Sequence, residues 1–146
     1  MRLIIIACLI GLGFFSCKEP ERTKVSSSKE PFVYDMYEPS EMAQLMNDMY
    51  LLNEKLKQEI LDGKQPTEFP PEVLKIHSAE FTKGKIRNET FESFSKLFIA
   101  SEKEIYNTDS GIDVKVRYNN AINLCISCHQ TECTGPIPRI KKLLIP

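Results

Sequence analysis

The feature that most constrains this chain is a tight group of thiol and imidazole side chains near its C-terminal end. Cys128 lies three positions after Cys125, and His129 follows it directly, so Cys125 and His129 are four positions apart. Residues three and four apart lie on one face of an α-helix. The spacing therefore predicts a helix that directs two thiols and one imidazole to the same side, toward one binding partner.

Cys-x-x-Cys-His is the sequence signature of covalent c-type haem attachment. In such a site the two thiols add to the two vinyl groups of one haem, and the adjacent histidine binds the iron as the proximal ligand. We therefore expect one haem c per chain. Its covalent bonds would be made by Cys125 and Cys128, and His129 would bind its iron.

Two other kinds of site use cysteines at this spacing. A thioredoxin-like redox pair lies where a strand enters a helix and has a lowered thiol pKa, whereas this pair falls deep inside a helical pattern. A zinc site could use the same three residues together with Cys133, although their sequence separation is tight for a tetrahedral arrangement. If haem is bound instead, Cys133 is left over, either as a packed side chain or as a reactive thiol.

The start of the chain has the pattern of an export signal. Met1 and Arg2 supply a short positive segment, and residues 3–15 form an apolar run shorter than the roughly 20 residues of a membrane span. Ser16 followed by Cys17 resembles the end of a bacterial lipoprotein signal. In that family the peptide is cut before the cysteine, which then carries lipid. The alternative is ordinary cleavage nearby, which would leave Cys17 as a free thiol.

The resemblance to lipoproteins implies a division of the chain into three parts. Residues 1–16 would be a signal peptide, residues 17–37 a flexible tether lipidated at Cys17, and residues 38–146 a haem-binding helical domain. The protein would be exported across the inner membrane and held by lipid in the periplasm or at the outer membrane.

Apolar residues at helical spacing predict an all-α fold with no convincing strand. Four segments are predicted to be helical: residues 39–62, 70–77, 88–107 and 112–130. Loops of modest length between them fit an up-down-up-down four-helix bundle. Gly135 and the prolines after it are expected to end the last helix, leaving residues 139–146 as a short tail.

The motif on the last helix, preceded by Tyr118-Asn119-Asn120-Ala121-Ile122, resembles the class II c-type cytochromes, the cytochrome c′ group, over residues 38–130. The resemblance implies a haem wedged between the first and last helices. Low-spin members of this group resemble Gln44-Leu45-Met46-Asn47-Asp48, with the methionine as sixth iron ligand. Met46 is therefore the expected distal ligand and Met49, one turn on, the alternative.

Other residues are weaker candidates for contact with the haem. The two methionines could instead fill the core, and high-spin members of the group leave the distal site open or block it with an apolar side chain. His77 is a further possible iron ligand. Basic side chains could contact the propionates, with Arg117 as the first choice; the others are Lys115, Arg139, Lys141 and Lys142.

Charge is nearly balanced, with 19 Lys and Arg against 20 Asp and Glu, so no nucleic-acid partner is expected. A histidine–methionine pair would give an electron carrier rather than an enzyme, working with a redox partner protein. The alternative is binding or sensing of nitric oxide or carbon monoxide at an open distal site. A zinc or redox-thiol interaction module is a third possible function. The resemblance to the cytochrome c′ group also makes a homodimer through the first helix possible.

Overall fold

The computed structural model describes residues 38–146. The expected signal peptide, the tether and the lipidation of Cys17 lie outside this range. All regular secondary structure within the described residues is helical, which confirms the all-α prediction. The elements are α1 (Glu41–Leu61), a 3-10 helix (Pro71–His77), α2 (Glu89–Ile105), α3 (Val114–Glu132), α4 (Ile137–Ile140) and a final 3-10 turn (Lys141–Leu143).

Polar side chains cap the three long helices at their N-terminal ends. The Ser40 hydroxyl accepts a hydrogen bond from the amide of Ala43, and the Asn88 side chain accepts one from the amide of Phe91 at 2.7 Å. Asp113 caps α3 in the same way. Each cap pairs a main-chain N–H that has no partner within its helix.

The four predicted segments are present, but the second is a 3-10 helix and the tail is more ordered than expected. The last long helix ends at Glu132, just before Gly135 and the prolines, as predicted. Pro136 and Pro138 then lie at the start of a further short helix, α4, where proline fits because its missing N–H would have no intrahelical partner. The tail is then fixed by Asn119, whose amide both donates to the carbonyl and accepts from the N–H of Ile145.

Helices α2 and α3 form the most extensive helix pair, and they run antiparallel. Asn88, just before α2, donates to the carboxylate of Glu132 at the end of α3. At the opposite end, Arg117 in the first turn of α3 donates to carbonyl oxygens at the end of α2. This pairing brings the C-terminal half of α3, with its cysteine motif, beside the N-terminal half of α2.

The buried apolar side chains form two clusters. One joins the C-terminal half of α1 to α3 and the tail and includes Leu56, Ile60 and Tyr118. The other joins the N-terminal half of α1 to the 3-10 helix and α2, and includes Met49 and Phe98. Cys125 packs against both clusters and so lies where they meet.

None of the helices between residues 38 and 146 has the length and apolar composition to cross a membrane.

Candidate functional site

A cavity of about 380 Å³ lies between α1, α2 and α3 and is closed on one side by the C-terminal tail. Its volume is in the range of small-molecule and cofactor sites. The α3 wall carries Cys125, Cys128 and His129, and the α1 wall carries Met46 and Met49. The structure thus brings the three motif residues and both methionines singled out in the sequence to one cavity.

The rest of the cavity wall is mainly apolar. Helix α2 contributes Phe91, Phe94 and Phe98, and the tail contributes Ile140 and Leu143. Such a wall suits a large, flat and mostly apolar group, because polar surface would lose its hydrogen bonds to water there. A porphyrin ring is a group of this kind, so the residues present fit a haem.

His129 is held in one orientation by the end of its own helix. Its Nδ1 lies 2.8 Å from the main-chain carbonyl oxygen of Cys133, and the amide of Cys133 donates to the carbonyl of His129 at 3.1 Å. A carbonyl oxygen can only accept, so Nδ1 carries the proton and Nε2 keeps its lone pair. Metal-bound histidines commonly make this bond, because it fixes the tautomer and the ring orientation.

The environment of the two motif cysteines disfavours the charged thiolate. Burial raises the pKa of Cys125 well above its usual range, and the nearby Glu102 charge raises it further. Burial and Glu132 raise the pKa of Cys128 to about 11. Redox-active and metal-binding cysteines need the thiolate and have lowered values. A thioether to haem is neutral and avoids this cost.

The zinc alternative finds no support in the part of the chain that the structure describes. There, no three histidine, cysteine, aspartate or glutamate side chains come close enough together to hold a metal ion by themselves. Cys133 is an exposed free thiol and is not part of the cavity wall. A haem iron needs fewer protein ligands, because the porphyrin nitrogens supply four.

The two methionines differ in their packing. Met49 is only 8% exposed and belongs to the second buried cluster. Met46 is half-buried and packs against that cluster from its edge. The thioether of Met46 can therefore turn toward a ligand in the cavity with less loss of core packing than that of Met49.

The structure does not bring Arg117 to the cavity. Its side chain is 4% exposed and donates to the carbonyl oxygens of Glu104, Ile105 and Asn107, at 2.6, 3.0 and 2.7 Å. It also donates to Ile112 and Gln65. The guanidinium thus pairs carbonyls at the C-terminal end of α2 that have no intrahelical donor, and its charge favours that end of the helix dipole.

Arg139 is the basic candidate that the structure does bring to the cavity. It lines the cavity, its guanidinium lies 3.8 Å from the ring centroid of Tyr50, and it donates to Asn47 at 3.1 Å. Of the other candidates, Lys115, Lys141 and Lys142 do not line the cavity. His77 is exposed on the 3-10 helix and is likewise absent from the cavity wall.

Asn53 is a cavity residue that no motif in the sequence singled out. It is 2% exposed, and its Nδ2 donates to the carbonyl of Met49. The phenol of Tyr118 donates to the Asn53 carbonyl at 2.9 Å. Within residues 38–146 its Oδ1 has no hydrogen-bond partner. The one sequence feature that could have indicated this residue is its position, as an amide side chain among the apolar residues along one face of α1.

No protein-family model matches the chain, no curated protein matches it, and no solved structure matches it.

Proposed function

We propose that this protein is a mono-haem c-type cytochrome that carries electrons one at a time. The haem would occupy the cavity, held covalently by Cys125 and Cys128, and His129 and Met46 would bind its iron. The single observation that carries this proposal is the shared cavity wall, which joins a haem-attachment motif on α3 to thioether side chains on α1. The orientation of His129, with Nε2 free, supports it.

The same observation favours the class II arrangement. In an up-down-up-down bundle the first and last helices run antiparallel, with the haem between them. The contacts agree with this order: Tyr118, early in α3, bonds to Asn53 in the middle of α1, whereas residues late in α3 share the cavity with Met46. We take the 3-10 helix as the shortened second member of that bundle.

Several cavity residues have a role in this proposal. Haem supplies the one-electron chemistry when bound, and the protein supplies ligation, burial and charge. His129 provides a fixed nitrogen ligand, and Met46 a neutral sulfur ligand that favours the reduced state. Arg139 at the cavity wall provides a positive charge suited to a propionate, and three phenylalanines on α2 exclude water.

The cellular setting is proposed from the sequence of residues 1–37. Export and a lipid on Cys17 would hold the haem domain at a membrane surface in the periplasm or at the outer membrane, within reach of a redox partner protein. A homodimer through α1 is compatible with this setting.

The phenylalanines give the alternative function a specific basis. Phe91, Phe94 and Phe98 line the same cavity, and an apolar side chain over the iron would leave it without a sixth protein ligand. The protein would then bind nitric oxide or carbon monoxide rather than carry electrons.

Absorption spectra of the haem-loaded protein with and without carbon monoxide separate these functions. We expect a methionine–iron charge-transfer band in the oxidised form and slow, incomplete carbon monoxide binding to the reduced form. Absence of the band together with rapid, complete binding would reject the electron-carrier proposal in favour of the gas-binding one.

A further inference from the structure

Glu102 is an ionisable side chain buried in the core without a partner. It lies in the C-terminal half of α2 and is 0% exposed. Neither of its carboxylate oxygens has a hydrogen-bond partner among residues 38–146. Buried carboxyl groups are normally hydrogen-bonded or paired with a cation, because a bare charge loses its hydration. An unpartnered one in the core calls for a functional explanation.

The groups around Glu102 leave its charge uncompensated. Its charge raises the pKa of Tyr106 on the same helix and of Tyr118 and Cys125 on α3. Arg117, also on α3, directs its guanidinium to carbonyl oxygens instead. The 3-10 helix, which also packs against α2, carries two basic side chains, Lys75 and His77, and both are exposed.

Burial has a direct effect on the protonation of Glu102. Loss of hydration raises its pKa from 4.5 to about 7, and no other group contributes to the shift. The carboxyl is therefore poised near neutral pH, where a modest change in nearby charge alters its protonation. Glu102 lies one helical turn after Phe98, on the same face of α2, and Phe98 lines the cavity. The Glu102 charge also raises the pKa of Cys125, whose sulfur would hold the haem.

We propose that Glu102 binds one proton from solvent when the protein accepts one electron and releases that proton when the electron leaves. This inference rests on the proposed haem site and adds a proton to its reaction. For each reduction, one electron comes from the one-electron donor protein and one proton from water. The proton bonds to a carboxylate oxygen of Glu102, and both are returned on oxidation.

The sign of the effect follows from electrostatics. The oxidised site carries one more positive charge than the reduced site, so it favours the ionised form of Glu102. Reduction removes that charge and favours the protonated form. Glu102 therefore has a lower pKa in the oxidised protein than in the reduced protein. Between these two pKa values the midpoint potential must fall as pH rises. Full coupling changes the equilibrium constant tenfold for each tenfold change in proton concentration, which is about 59 mV for one electron.

The test is the midpoint potential of the haem-loaded full chain from roughly pH 5 to pH 9, which brackets neutral pH. The wild-type protein and Glu102→Gln are compared, with Glu89→Gln as control, since Glu89 is an exposed glutamate on the same helix. We expect the midpoint potential to fall with rising pH in wild type and in Glu89→Gln. In Glu102→Gln this pH dependence should be lost. A slope that persists in Glu102→Gln would assign the proton to another group, such as a haem propionate, and overturn the proposal.

A second measurement uses the wild-type protein alone, so it stands even if Glu102→Gln folds poorly. In the reduced-minus-oxidised infrared difference spectrum near pH 7, the C=O stretch of a protonated carboxyl should appear on reduction and shift in D₂O. Its absence would reject the proposal while leaving the haem proposal intact. A chain that binds no haem at all would instead fail the proposed function, so the two failures are distinguishable.

Discussion

The imidazole Nδ1 of His129 lies 2.8 Å from the main-chain carbonyl oxygen of Cys133. This bond links the histidine of the motif to the turn that ends α3, where the amide of Cys133 also caps the helix. The imidazole is thus held by main-chain atoms, while Nε2 stays available as a ligand. The thiol of Cys133 takes no part in this arrangement.

Replacing Cys133 should therefore leave haem binding unchanged. Because His129 bonds to the main chain at this position, Cys133→Ser keeps the hydrogen bond and removes only an exposed thiol. We expect the haem content and absorption spectrum of the wild type. Cys128→Ser is the matched comparison, and it should lose one thioether bond. Loss of haem from Cys133→Ser would contradict this account and revive a role for the third cysteine.

Met46 and Met49 can be distinguished by two volume-conserving replacements. Leucine has a size close to that of methionine, so the free energy of unfolding should change by less than about 1.5 kcal/mol in either variant. We expect Met46→Leu to lose the methionine–iron charge-transfer band and to bind carbon monoxide readily, whereas Met49→Leu keeps the band. The reverse result would assign the iron to Met49, which is the more deeply buried of the two.

Arg117 should stabilise the fold without affecting the haem. Arg117→Ala removes a charged donor from the carbonyls of Glu104, Ile105 and Asn107, and each bond to a charged group contributes about 1.5–3 kcal/mol. Each carbonyl keeps a neutral donor, from the main-chain amide of Asn107 or Ser110 or the side-chain amide of Gln65. We expect the free energy of unfolding in urea to fall by about 2–4 kcal/mol, because water replaces part of the loss.

The control for Arg117 is Lys115→Ala, which removes an exposed cation from the same turn of α3. It should change stability by less than about 0.5 kcal/mol. The midpoint potential of the haem should be the same in both variants. A shift in potential confined to Arg117→Ala would support the propionate contact predicted from the sequence.

The burial of Glu102 should make the protein less stable as pH rises. Its pKa is 4.5 ordinarily and about 7 when folded, so the folded state binds more protons between these values. The contribution of Glu102 to the free energy of unfolding is fully present below pH 4.5 and is lost as pH rises toward 7. At 1.36 kcal/mol per pH unit the loss is about 3 kcal/mol at most.

Urea unfolding of the haem-loaded protein at several pH values across this range measures the effect. Glu102→Gln should show a flatter dependence on pH than wild type, and Glu89→Gln should follow wild type. Equal pH dependence in Glu102→Gln and wild type would mean that Glu102 keeps an ordinary pKa in the folded protein.

The helical class and the cysteine motif could be predicted from local patterns. The apolar stripe around Met46 and the spacing of Cys125 and His129 are properties of single helices. What the sequence could not provide depends on contacts between distant segments. Arg117 was expected to contact the propionates, but it bonds to the end of the preceding helix. Asn53 became a cavity residue only when α1 packed beside α3.

The prolines near the end of the chain show a second limit of local patterns. Pro136 and Pro138 could have ended one helix or begun another, since proline is compatible with both positions. The choice depends on the docking of the tail against Asn119 and against Lys57, whose amine donates to the carbonyls of Lys142 and Leu144. That docking places Arg139 at the cavity wall.

The most direct test of the central claim is whether haem is covalently bound to this chain. The full-length protein should be produced in a bacterial host that attaches haem to a control c-type cytochrome. After acid-acetone extraction, we predict one haem retained per chain by pyridine haemochrome assay and by mass. A double Cys125→Ser, Cys128→Ser variant should retain none. A colourless wild-type protein, or one that releases all its haem while the control cytochrome keeps its own, would contradict the account.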